Sequence, residues 1–144
     1  MISSNRRPAA YLAADQVFAD ATLTAVNDIG SVNLAGAGTY DITWKLFGSR
    51  SNNTEGQAQV DVTNVDSGKA AGKVFDQNGI NRVEEGVVEL NIQYQSNNEI
   101  QLIELSYSVV VTAASVATLQ YALETGTSPH TIYSGSFVVV ERVN

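Results

Sequence analysis

The sequence of 144 residues predicts an all-β fold, an antiparallel sandwich or closed barrel of eight to ten short strands. Three observations predict it. Eighteen valines, eleven threonines and ten tyrosines or phenylalanines stand against three lysines and one methionine, a composition suited to pleated strands. Several segments alternate apolar and polar residues with a period of two. Turn-forming clusters punctuate those segments with no helical stretch between them, so a parallel βαβ sheet is excluded for want of crossovers.

Taken in chain order, residues 1–20 form an N-terminal arm, and residues 21–144 form the β domain. Within the arm, Pro8 could start a short helix over Ala9–Asp20, because Tyr11, Ala14 and Phe18 would share one face. An extended arm is the alternative. Asn27-Asp28-Ile29-Gly30 reads as a turn. The run Gly38–Leu46 then points Tyr40, Ile42, Trp44 and Leu46 one way and Asp41, Thr43 and Lys45 the other, which is a half-buried strand. A loop is expected at Gly48–Asn53. Gln57–Val62 is a strand with Ala58, Val60 and Val62 inward, and Asp66-Ser67-Gly68 a turn.

Asn78-Gly79 suits a two-residue hairpin turn, which needs φ > 0 at both central positions. Glu84 and Glu85 are expected in a solvated loop before a strand over Val88–Tyr94, and Ser96–Asn98 in a further turn. The uncharged stretch Leu105–Leu123 is long enough to cross a bilayer. Its hydroxyl residues and its β-branched Val109-Val110-Val111 run make two adjoining strands the better reading. Leu119, Tyr121 and Leu123 face the core in the second of these, and Thr125–Pro129 is a loop.

Composition narrows function. Net charge is −7, and Arg6 and Arg7 are the one basic cluster, too few for sequence-independent nucleic-acid binding. Only 16% of residues are charged, while Ser, Thr, Asn and Gln supply 44 residues, so the exterior is neutral and polar. The chain has no cysteine, which removes disulfides, thiol catalysis and cysteine metal sites. Asp15 and Asp20 interrupt any apolar stretch after Arg6-Arg7, and no secretory signal is expected.

Candidate chemistry is sparse. His130 is the single histidine, with Ser128 and Ser134 nearby, but no Gly-x-Ser-x-Gly elbow accompanies it. It is expected in an exposed or interfacial loop. Calcium ligands could come from Asp61, Asn64 and Asp66, or from Asp76-Gln77-Asn78-Gly79. In the second set Asn81 and Val87 stand where an EF-hand needs glycine and glutamate. Both read first as turn chemistry. Glu84-Glu85, or Glu89 with Glu104, could pair as glycosidase carboxylates, though a sandwich of this size seldom supplies the long cleft. The expectation is a non-enzymatic protein with no cofactor and no metal. Tyr107 and Tyr133 are candidate glycan contacts, each being near a strand end among hydroxyl residues.

Two motifs carry a family resemblance. Asn33–Trp44, with its Gly38-Thr39-Tyr40-Asp41-Ile42 core, resembles the Gly-x-Tyr-x-Ile strand of the tumour-necrosis-factor and complement-C1q-like jelly rolls. Tyr133-Ser134-Gly135-Ser136-Phe137-Val138-Val139-Val140-Glu141-Arg142 resembles their terminal strand, except that Val138 stands where they carry glycine. Small tailed-phage proteins with that jelly roll are similar in size and composition. The resemblance implies a jelly-roll sandwich and a virion structural protein on the capsid surface, a decoration or cement protein whose partner is the major capsid protein. A receptor-binding fibre tip or carbohydrate-binding module of the same fold is the alternative. No nucleic acid or membrane partner is expected.

Two strands break the alternation rule, which leaves branched side chains to cover. If one face of each run fills the core, Val109 and Val111, with Val138 and Val140, are the candidate interface for a second copy. The resemblance implies a trimer, and Val138 in place of glycine leaves a dimer open. Arg6, Arg7 and Tyr11 are expected to touch the capsid or a neighbouring subunit.

Overall fold

The computed structural model describes residues 7–50, 55–76, 79–86, 90–94, 101–125 and 129–143. Thirteen strand segments are seen there: β1 Ala10–Tyr11, β2 Gln16–Phe18, β3 Thr24–Ala25, β4 Ser31–Leu34, β5 Gly38–Arg50, β6 Glu55–Val62, β7 Val65–Asp76, β8 Gly79–Gly86, β9 Leu90–Tyr94, β10 Gln101–Val111, β11 Ser115–Thr125, β12 His130–Ile132 and β13 Phe137–Arg142. All pairings are antiparallel. The first sheet runs β1-β13-β5-β10-β7-β8, with β12 against β5 and β2 against β12. The second runs β3-β11-β6-β9, with β4 also against β11. The fold is an all-β antiparallel sandwich. The long strands pass repeatedly from sheet to sheet, β5 to β6 to β7 and β9 to β10 to β11, the winding that separates a jelly roll from stacked meanders.

The clean alternation of β5 does what its residues dictate. Tyr40, Ile42, Trp44 and Leu46 are buried, and Asp41, Thr43 and Lys45 lie on the opposite face. β5 is flanked by β10 through eleven register pairs and by β13 through six, so its inner side chains sit mid-core. From the second sheet, Ala58, Val60, Val62, Leu119, Tyr121 and Leu123 complete that core. The Trp44 indole N–H donates to the buried Ile29 carbonyl at 2.8 Å, giving the largest core side chain the polar partner it needs. Gly30, in the same turn, permits a close backbone approach. A Cβ there would stand 2.2 Å from the Val26 carbonyl oxygen.

Several local expectations give way to tertiary pairing. Ala9–Asp20 forms no helix. The Ala9 N–H bonds the Val138 carbonyl and the Leu12 N–H the Ser136 carbonyl, so the backbone is satisfied across the sheet. Leu12 and Phe18 enter the core while Tyr11 stays 56% exposed, a spacing that serves an extended chain. Asp66-Ser67-Gly68 is no turn either, for it lies within β7 beside β10 at a bulge next to Val111. The chain reverses instead at Thr63-Asn64, where Asn64 takes φ 55° and its carbonyl accepts the Thr112 N–H. Gly48, Ser49 and Arg50 continue β5 rather than opening a loop, and Glu84-Glu85 lies in strand β8. The β7–β8 pairing closes at Asp76↔Gly79, so Gly79 is a strand residue and not a central turn residue as Asn78-Gly79 suggests; residues 77–78 lie outside the described residues. The strand expected over Val88–Tyr94 is present over Leu90–Tyr94, and residues 88–89 lie outside the described residues. Leu105–Leu123 resolves into β10 and β11 of opposite sheets, and no helix among the described residues is long and apolar enough to cross a membrane.

Candidate interaction face

The outer faces of the two sheets differ in chemistry. On the second sheet, Ser31, Asn33, Gln57, Gln59, Asp61, Thr118 and Gln120 point outward with one aliphatic side chain, Val116, among them. The first sheet carries Tyr11 and Val17, each more than half exposed, and Val143, equally exposed, follows directly on β13 with its N–H bonded to the Thr39 carbonyl. Phe137 and Val139 of β13 and Val110 of β10 share that face, half-buried. The Tyr11 ring packs against Phe137 with centroids 6.0 Å apart, since the two residues are register partners across β1 and β13.

The rest of this face is polar and ordered by register. Asp41 pairs with Ser108, Thr43 with Ser106, and Lys45 with Glu104 across β5 and β10. The Ser108 hydroxyl donates to the Asp41 carboxylate. Lys45 and Glu104 approach to 4.0 Å, a surface pair of small energetic weight. Between the first two rows lies a shallow depression of about 220 Å³ lined by Asp41, Ile42, Thr43, Ser106, Tyr107 and Ser108.

Register also corrects the candidate interface. Residues directly opposite in a ladder share a face. Val138 pairs with Trp44 and Val140 with Ile42, both core residues, so Val138 is fully buried and Val140 packs against the core. Val109 and Val111 are likewise core residues, and Val110 is the outward member of its run. The phase of β13 is set by Ser136, which is buried because its hydroxyl accepts the Phe47 N–H and donates to the Tyr133 carbonyl. The branched residues left on the outside are therefore Val110 and Val139, joined by Phe137.

The remaining candidates separate cleanly. Tyr107 is buried, not a glycan platform, and burial, with Asp61 adding a like-charge effect, raises its phenol above the ordinary tyrosine range. Tyr133 is half-buried, its hydroxyl 2.6 Å from the Ser49 hydroxyl on the first-sheet side. Arg7 and Tyr11 are exposed, and Arg6 lies outside the described residues. His130 is not in an exposed loop. It sits in β12, fully buried, with Nδ1 2.6 Å from the Tyr121 hydroxyl. Gly56 leaves the room, because a Cβ there would meet the Tyr121 hydroxyl at 2.3 Å and the imidazole at 2.8 Å. Ser134 is exposed and gives its N–H to Asp15, while Ser128 lies outside the described residues.

Asn64 serves its turn, its side-chain amide bonding the Ala114 carbonyl, and Asp61 and Asp66 are exposed on different strands. Among the described residues no three His, Asp or Glu side chains gather as a metal site would need. Glu104 is committed to Lys45, and Glu89 lies outside the described residues. Phe137, Val139 and the Asp41–Ser108 row are the residues that sequence reasoning passed over. Their signal was the polar side of β5 and the buried Ser136 that sets the phase of β13.

No protein family's sequence profile matches the chain, and no curated protein sequence does. Among solved structures, a CocE/NonD family hydrolase from Staphylococcus aureus is similar at 12% identity and TM-score 0.42, covering 92% of this chain and 34% of its own. The infectious bursal disease virus Gx strain structure is similar at 14% identity and TM-score 0.27, covering 93% and 38%. The CBM36-1 domain of a multidomain xylanase from the hindgut metagenome of Trinervitermes trinervoides is similar at 14% and TM-score 0.21, covering 90% and 98%. The chain thus spans little more than a third of the first two structures. Likeness at these scores carries no argument about activity.

Proposed function

We propose that the chain is a non-enzymatic virion structural protein, a capsid decoration or cement protein of a tailed phage that works by protein–protein contact. The observation that supports this reading is the asymmetry of the two outer faces. The first sheet carries Tyr11, Val17, Phe137 and Val139 on its outer face, with Val143 just beyond β13, whereas the outward side chains described on β4, β6 and β11 are polar apart from Val116. A broad face of rings and branched carbons interspersed with hydroxyls suits docking on another protein, because its apolar area drives association and its polar groups fix register. The single histidine, the natural base of a hydrolytic triad, is spent on a buried structural bond to Tyr121.

In this reading the major capsid protein is one partner and a second copy the other, both reached through the first sheet. Its place is the capsid surface. The test is to add purified protein to expanded capsids. Saturable, stoichiometric binding with a raised rupture temperature is expected, together with density on the shell by cryo-electron microscopy. Protein that ignores capsids but labels host cells would overturn the reading in favour of a receptor-binding tip.

A further inference from the structure

We propose that the depression on the outer face of the first sheet is a binding site for a neutral, polyhydroxylated ligand, a saccharide, held by Asp41, Thr43, Ser106 and Ser108. The proposal rests on this pocket's chemistry and not on the capsid reading. Its floor is the paired backbone of β5 and β10, where Ile42 and Tyr107 turn their side chains into the core. Four side chains flank it, and all four form hydrogen bonds by nature: three hydroxyls and one carboxylate. They stand in two adjoining rows, Asp41 opposite Ser108 and Thr43 opposite Ser106. Such a grid repeats at strand spacing, about 4.8 Å across and about 6.8 Å along.

The ligand class follows by elimination. An apolar molecule gains nothing from a lining without aromatic or aliphatic side chains. Acidic and basic positions both border the site, Glu141 opposite Asp41 on β13 and Lys69 opposite Ser108 on β7, and the one charge in the lining is the Asp41 carboxylate, which disfavours an anion. Calcium takes six to eight oxygens, usually from several carboxylates, and no group of three acidic or imidazole side chains is found among the described residues. A sugar fits the inventory. Its vicinal hydroxyls donate to a carboxylate, which offers about four acceptor positions, of which Ser108 takes one. Serine and threonine hydroxyls rotate to donate or accept as each ring oxygen demands. At about 220 Å³ the depression suits one ring rather than a drug-sized molecule. Neighbours extend it: Val139 pairs with Thr43, and Phe137, carrying Tyr11, lies one row along the same face. There an exposed aromatic ring is available to a second sugar.

The test uses the full chain labelled with ¹⁵N and titrated with neutral mono- and disaccharides (glucose, galactose, mannose and N-acetylglucosamine series), with glucuronate and calcium chloride as separate arms. Amide shifts centred on residues 41–43 and 106–108 are expected for at least one neutral sugar, with glucuronate weaker. Asp41→Ala is expected to weaken binding about ten-fold or more, the scale of a lost charge-assisted hydrogen bond. Ser106→Ala should weaken it less, and Asn33→Ala on the opposite sheet should change nothing. Absence of shifts with every neutral sugar overturns the proposal. So do shifts produced by calcium alone, and sugar binding that Asp41→Ala and Ser106→Ala leave intact. Capsid binding is scored separately, so either reading can fail alone.

Discussion

His130 of the first sheet and Tyr121 of the second meet inside the sandwich, Nδ1 to hydroxyl at 2.6 Å, with the rings inclined at 45°. Phe18 from the N-terminal segment packs edge-on against the same tyrosine at 4.9 Å. Three separated parts of the chain are therefore tied at one buried point. Polar groups placed there cost free energy unless bonded, so the pair holds the sheets in one alignment as well as together.

Gly56→Ala tests that point by crowding it. A methyl group 2.3 Å from the Tyr121 hydroxyl must displace a buried side chain, at a cost of about 1–3 kcal/mol. Urea unfolding followed by Trp44 fluorescence should show the midpoint fall. An unchanged midpoint would mean that the neighbourhood is looser than its geometry.

His130→Ala should cost roughly 2–4 kcal/mol, combining the lost hydrogen bond with the cavity left behind. The same urea titration reads it, and far-ultraviolet circular dichroism should stay β-rich at neutral pH.

Two adjacent valines should respond in opposite ways to lysine. Val138→Lys places an ammonium among Trp44 and its neighbours and should unfold the domain, since burying an uncompensated charge costs several kcal/mol. Val139→Lys puts the charge on the outer face and should leave the fold intact while weakening capsid binding or self-association. Circular dichroism and light scattering on both variants check the contrast.

Truncation should divide the N-terminal segment in two. Removal of residues 1–11 should leave the sandwich folded, losing the short β1 edge and the Tyr11–Phe137 contact, and should weaken assembly. Removal of residues 1–20 takes Leu12 and Phe18 from the core and should destabilise by about 4 kcal/mol or more. Thermal melts of the two truncated chains provide the comparison.

Alkaline stability should depend on Tyr107. Its phenol is raised by burial, so above the ordinary tyrosine value of about 10 the unfolded chain loses a proton that the folded chain keeps. Unfolding then becomes easier as pH climbs, until the folded phenol ionises too. Tyr107→Phe should flatten that decline, measured as the slope of unfolding free energy against pH between about 9.5 and 11.

How much of this was legible follows from what kind of information each feature needs. Tyr40-x-Ile42-x-Trp44-x-Leu46 declares its own phase, because large apolar residues alternate with Asp41, Thr43 and Lys45. Val138-Val139-Val140 declares none, since a continuous apolar run fits either face. Its phase comes from Ser136, whose burial depends on Phe47 in another strand. His130 after Thr127-Ser128-Pro129 has every local mark of a loop residue. Tyr121 across the core and the missing side chain of Gly56 help to make its burial tolerable. The Asp41–Ser108 row was invisible for a similar reason: sequence places both residues on polar sides of strands, and only the β5–β10 register brings them together.

The strand order also dictates when the molecule can be finished. Among the described residues the β7–β8 pairing is the single local hairpin, and every other neighbour relation joins distant stretches of chain. β13 is inserted between β1 and β5, so the earliest strand has no seat until the latest is in place. A chain emerging from the ribosome must therefore hold β5 unpaired over the about fifty residues that precede β10, and its second edge open until β13 is made. Such high contact order places folding in milliseconds to seconds rather than microseconds. It also leaves valine-rich edges open to stray pairing during synthesis. Yield in a host cell should consequently track chaperone supply and growth temperature more closely than the stability of the finished fold.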